Sequence, residues 1–315
     1  MTLKSLTQLT CLALSLILTG AAYAQKMTTI RNKHLTVSIN QIGAEIKSIK
    51  ANDTGREYIW PGDKKNWKRS APIMFPVAVR FKDDDYTYKG KTYTMPRIGY
   101  VFKTPAKIEK TSKSEATFVY ESDSKTAKFY PFKFKLTITY RLEGKSIIHD
   151  FQVENLGKET MYFDLAGHPG FTLPTKGGKS RKDYEFVFSK SMNVRRMPIE
   201  TGLANPNTVP FLNNETRLNL ADPRMVGKGG RVIRAGKGTV IGVAEKGKSA
   251  FIEVDLGDFP HVGIWPPEEK PLICLEPMIG HHDFTNAPAQ IEKKKQLTAL
   301  PAKGSESYSF TIRVK

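Results

Sequence analysis

Apolar and polar residues alternate along this chain with a period of two. Phe132, Phe134, Leu136, Ile138 and Tyr140 interleave with Lys133, Lys135, Thr137, Thr139 and Arg141. Successive side chains of a strand point to opposite faces, so this pattern predicts a half-buried strand. Glu143-Gly144-Lys145 makes a turn, and Ile147, His149, Phe151 and Val153 form the inner face of an antiparallel partner. His149 falls on the apolar side and reads as a core histidine. Comparable segments predict strands at 35–39, 117–121, 239–243, 250–254 and 261–265, and from Tyr308 through Phe310 and Ile312 to Val314. No segment carries helical spacing over an ordinary helix length. Many short strands broken by Gly, Pro, Asn and Asp turns predict an all-β sandwich or barrel. The polar, Gly-rich stretches 174–183 and 225–237 read as loops leaving a sheet rather than as linkers. Residues 25–315 are therefore expected to form a single β-sandwich domain.

The first residues follow a different rule. Lys4, an apolar run from Leu9 to Leu18 and the small-x-small triplet Ala22-Tyr23-Ala24 form the pattern of a secretory signal, with cleavage expected before Gln25. The run is short for a bilayer span, and nothing later is long and apolar enough. An exported protein, periplasmic or secreted, without stable membrane insertion is the expectation. Cys11 lies in the leader, which leaves Cys274 alone in an apolar run. That excludes an internal disulfide and multi-cysteine metal sites, and Cys274 reads as a buried thiol. The formal charge is +18. Such a balance fits anionic glycans or an anionic envelope surface. The lysines are spread over turns and polar strand faces rather than gathered in one run, and no nucleic-acid partner is expected.

Candidate chemistry sits beside turns. His168 lies between Gly167 and Pro169-Gly170 on a constrained turn, where an imidazole titrating near neutrality suits proton transfer. A turn histidine with a packing role fits the same pattern. Glu276 interrupts the apolar run Pro271–Leu275, where desolvation raises a carboxyl pKa and suits it to a general base; an ion-paired structural glutamate is the alternative. Arg80 can aim a donor fork at sugar hydroxyls or form a salt bridge. Trp265 can pack on a pyranose ring or belong to the core. His281-His282-Asp283 resembles a metal site, but adjacent strand residues face opposite ways, so the two imidazoles are not expected to share an ion. Asp83-Asp84-Asp85 lacks the ligand spacing of a calcium loop. No metal site is expected.

In their order these segments resemble the aldose 1-epimerase (galactose mutarotase-like) family, in its LacX-like branch. The resemblance rests on Gly43-Ala44-Glu45-Ile46, Ile59–Asp63, Trp67, Ala71–Pro76, Tyr86–Tyr93, Gly167–Phe171, Gly263–Trp265, Cys274–Pro277 and Gly280. It implies an antiparallel β supersandwich that interconverts sugar anomers without a cofactor. It further implies Glu276 as base, His168 as acid and a monosaccharide or oligosaccharide as partner. Arg80 stands at the family's substrate-binding arginine, and Trp265 and Tyr100 are expected to contact the sugar. One stretch departs from the pattern. Where the branch carries His-Gly-Phe-Ala-Arg, this chain has Ile98-Gly99-Tyr100-Val101-Phe102, so a histidine and an arginine are lost. Removing one positioned donor commonly costs roughly a hundredfold in rate. That leaves two alternatives: a substrate other than the usual aldohexoses, or a sugar-binding protein of weak turnover. A further substrate-holding carboxylate is not evident; Asp222 is the candidate.

Overall fold

A computed structural model describes residues 26–63, 67–225, 229–267 and 270–315. The secretory leader expected at residues 1–24 lies outside the described residues. Within them the chain is built of antiparallel strands and short 3-10 turns, with no α-helix. Among the described residues, no helix is long and apolar enough to cross a membrane.

The alternating segments became strands as their pattern requires. Phe134–Glu143 buries every second residue and pairs with Ser146–Asn155 across the Gly144-Lys145 turn, with Tyr140 opposite His149 and Ile138 opposite Phe151. Each inward side chain removes apolar surface from water, which is the main stabilising term. The far edge of Ser146–Asn155 pairs with Ser305–Val314. From there an antiparallel ladder runs through Ala250–Asp255, Val240–Glu245, Tyr184–Glu200, Arg231–Arg234 and His261–Trp265 to Leu272–Met278. Ala166–Gly167 and Ile73–Met74 close that end. A three-stranded sheet of Met27–Arg31, Leu35–Asn40 and Glu45–Ala51 stands apart in its pairing, yet its inward residues join the same core as the ladder.

Two expectations change. The stretch 225–237 is not one loop, because Arg231–Arg234 is a strand paired on both sides, with Val232 opposite Gly263 and Met197. Its four residues are too few for alternation to stand out beside the neighbouring glycines. The strand expected from Thr239 begins at Val240, since the Thr239 hydroxyl donates to the Ala235 carbonyl at 2.8 Å and closes a turn. His149 is a core residue as read: its ring stacks on Phe310 at 4.2 Å, and Nδ1 lies 3.3 Å from the Ile147 carbonyl.

Candidate functional site

Leu272–Met278 is buried along its whole length, so any polar side chain on it is removed from water. Glu276 sits on this strand opposite Gly263 of His261–Trp265. A β-carbon at Gly263 would lie 3.0 Å from Glu276 Oε2 and 3.2 Å from Glu276 Cβ. Glycine is thus what lets the carboxylate lie against the neighbouring backbone.

His168 follows the short Ala166–Gly167 strand, which pairs with Met278 on one side and Met74 on the other. Its backbone N–H donates to the Pro72 carbonyl at 2.9 Å, which fixes the turn. The result is a contact between His168 Nε2 and Glu276 Oε1 of 3.3 Å, with both side chains largely buried. Burial pushes Glu276 up to about 8 and His168 down to about 4, so each is driven toward its uncharged form.

The pair opens into a cavity of about 270 Å³. Trp67 and Trp265 flank it, their rings 5.0 Å and 5.8 Å from the His168 ring and 5.6 Å from each other. Gly170 makes room for this, because a β-carbon there would meet Trp67 at 2.6 Å. Val79, Ile199, Gly202, Arg231 and His282 complete much of the wall. Aromatic faces beside a few convergent polar groups are the make-up of a small-molecule site.

The structure therefore brings His168, Glu276 and Trp265 together. Two other expected contacts fall elsewhere. Tyr100 does not line the cavity: it packs in the core at 5.6 Å from Phe129 and 5.9 Å from Phe134, because its backbone is tied to the Phe75 carbonyl at 3.1 Å. Arg80 is not a lining residue either. Its guanidinium pairs with Asp84 at 2.8 Å and donates to the Thr201 carbonyl at 3.2 Å, while its stem backs Gly202 of the wall. Asp222 is held by Arg224 Nε at 2.8 Å, away from the lining.

Ile98 and Phe102 bring no donor to the cavity. Ile98 packs on an apolar patch of Met74, Ala78, Ala166 and Met278, and Phe102 lies 4.6 Å beneath the Arg69 guanidinium. Two polar residues absent from the sequence reading of the pocket line it instead. Arg231 is 3% exposed, its Nε donating to the Arg224 carbonyl at 3.1 Å. His282 is 6% exposed. The neighbouring imidazole turns away, as expected: His281 packs on Phe284 at 4.8 Å and His261 at 5.5 Å. Among the described residues, no cluster of three or more His, Cys, Asp or Glu is arranged to hold a metal.

The profile of the aldose 1-epimerase family matches residues 26–292. Over 295 residues the chain is 32% identical to the chromosomally encoded protein LacX of Lactococcus lactis subsp. lactis, covering 90% of this chain and 98% of that one. Its fold superposes on the galactose mutarotase related enzyme of Lactobacillus acidophilus with a TM-score of 0.88 at 30% identity, covering 92% of this chain and 97% of that chain. A galactose mutarotase-like protein from Lactobacillus casei gives a TM-score of 0.85 at 27% identity, with 92% and 100% covered. This β supersandwich belongs to the aldose 1-epimerase family.

Proposed function

We propose that the protein interconverts the anomers of a free sugar through the His168–Glu276 pair. The observation that carries this reading is the 3.3 Å contact between the two groups at a cavity flanked by two tryptophans. In ring opening, the Glu276 carboxylate takes the proton of the C1 hydroxyl. The C1 to ring-oxygen bond breaks, C1 becomes a carbonyl, and His168 gives its proton to the ring oxygen. Rotation about C1–C2 and the reverse transfers close the ring on the other face. Protons balance because each group regains in closure what it exchanged in opening.

The pair needs one exchangeable proton between its members. The neutral arrangement has it on Glu276, and passage along the short contact to His168 gives the reactive one. A hydroxyl-rich sugar in the cavity favours that charged form, since its oxygens and hydroxyls replace the water that burial removed. The family's chemistry supports a carbohydrate partner, and the leader pattern supports placing the activity outside the cytoplasm. A mature envelope or secreted protein should begin at Gln25 by intact-mass measurement.

Polarimetry of freshly dissolved aldoses tests the function directly. The wild type should accelerate mutarotation, and Glu276→Gln should lower the rate about a hundredfold to ten-thousandfold, the range of general acid–base effects. No acceleration by the wild type across a panel of aldoses sinks the reading.

A further inference from the structure

The imidazoles of His149, His261, His281 and His282, outside the His168–Glu276 pair, do not behave alike. His149, His261 and His281 each set Nδ1 against a backbone carbonyl, at 3.3 Å from Ile147, 3.1 Å from Ile279 and 2.7 Å from His282. That is how a packing histidine satisfies a buried ring. His282 does not: its Nδ1 is buried without a hydrogen-bond partner, and the other histidine in that condition is His168. Both of these line the cavity.

The backbone around His282 is fixed. His281 Nδ1 donates to the His282 carbonyl, and the next residue, Asp283, accepts from Lys294 Nζ at 2.5 Å, Gln296 Nε2 at 2.6 Å and the Lys82 backbone N–H at 3.0 Å. The imidazole is therefore held at the wall rather than free to turn out. Nδ1 of His282 has no acceptor to give a proton to, so the ring proton is placed on Nε2, the nitrogen left for a ligand; His168 differs because Glu276 occupies its Nε2. Burial also drives His282 down to about 3, with His281 and His168 opposing a further charge. The ring is a neutral donor at working pH.

We propose that His282 is a substrate-binding residue of this site, its Nε2–H donating a hydrogen bond to a hydroxyl oxygen of the sugar held over His168 and Glu276. The inference rests on the mutarotase reading for its ligand class, but its evidence is the unsatisfied ring at the cavity wall. It also answers the departure at Ile98: the second imidazole of the pocket enters from the segment after Leu272–Met278, where the Ile98 side chain offers only apolar contact.

The test is a fluorescence titration of Trp67 and Trp265, which flank the cavity, with D-glucose, D-galactose, D-xylose and L-arabinose as probes. His282→Ala should raise the dissociation constant of the best-bound sugar about tenfold, the loss of one hydrogen bond. KM should rise with it while kcat changes less. His282→Gln carries an amide near the Nε2 position and should recover most of the affinity. Should His282→Ala not fold, His282→Phe keeps the volume without the donor and should bind as weakly. Equal binding by the wild type and the donor-free variant overturns the inference while leaving mutarotation standing. Sugar binding lost on His282→Ala in a protein that accelerates no mutarotation supports the inference and removes the catalytic reading. A wild type that binds none of the four sugars overturns the inference.

Discussion

Gly263 shows how much of the site depends on an atom that is missing. A β-carbon there would press on Glu276 Oε2, Glu276 Cβ and Met278 Cε at 3.0, 3.2 and 2.7 Å. Gly263→Ala should therefore displace the carboxylate from His168 while the sheet persists. A shift of about 1 Å in a reacting group costs on the order of a hundredfold, so polarimetry should show such a fall with the melting temperature little changed. An unchanged rate places the carboxylate's working position elsewhere. His168 and Glu276 were legible in the sequence because each stands out locally, one on a glycine–proline turn and one inside an apolar run. Arg231 and His282 were not. They reach the cavity through pairing with distant strands and through the anchoring of Asp283, and neither relation is written in the flanking residues. Val79 and Ile98 were equally opaque: both are β-branched yet hold positive φ, 66° and 56°, joined by an Ile98 N–H to Val79 carbonyl bond. Such strain collects at functional walls and has no sequence signature of its own.

Among the elements, strands with one wet face or an unbroken apolar run could be read, and strands that are bulged or very short could not. Phe134–Glu143 and Ser146–Asn155 alternate cleanly because one side meets the core and the other meets solvent. Tyr184–Glu200 is the longest strand yet hides its period, since the ladder to Val209–Asn219 shifts register between Val187, Met192, Val194 and Arg195. Each bulge flips the side chains that follow to the other face. The segment after Leu272–Met278 has no regular structure, and an ion pair holds it: Lys294 Nζ to Asp283 Oδ2, with side chains 1% and 0% exposed. Breaking a buried pair from one side leaves a charge uncompensated, at a cost of roughly 3–5 kcal/mol. Lys294→Met should lower stability by that order in chemical denaturation. It should also weaken sugar binding, because the carboxylate that anchors His282 is released. A melting curve and an affinity equal to wild type would show that Gln296 and the Lys82 amide hold Asp283 unaided.

At the scale of the molecule, burial in one continuous core couples groups far apart in the chain to pH. Burial holds the imidazoles of His149, His168, His261 and His282 down, at about 3, 4, 4 and 3. It holds the Asp164 and Glu276 carboxyls up, at about 7 and 8. A lowered imidazole binds fewer protons folded than unfolded below its ordinary pKa of 6.5, so its stability is present above that value and lost as pH falls toward 4. A raised carboxyl binds more protons folded than unfolded, so its contribution is present at low pH and lost as pH rises through the folded value. Between pH 4 and 6.5 the two sets oppose each other. The salt-bridged Asp84, Glu215, Asp222 and Glu245 are lowered and act below this range. From pH 6.5 to 7.5 the unfolded imidazoles still release protons and largely offset the two carboxyls. From pH 7.5 to 9 the carboxyls, chiefly Glu276, are left, and stability should fall by roughly 1 kcal/mol, since each unit of displacement carries about 1.4 kcal/mol. Asp164 has a structural reason to matter here: Oδ1 accepts from the Gly280 and Leu165 N–H groups, while Oδ2 is buried without a partner. Urea denaturation across this range checks the account. Asp164→Asn should remove part of the slope, Glu276→Gln the larger part, and the double variant should be level. A wild type whose stability holds or rises from pH 7.5 to 9 would mean that water reaches these carboxyls, and with it the cavity floor on which the proposed proton transfer depends.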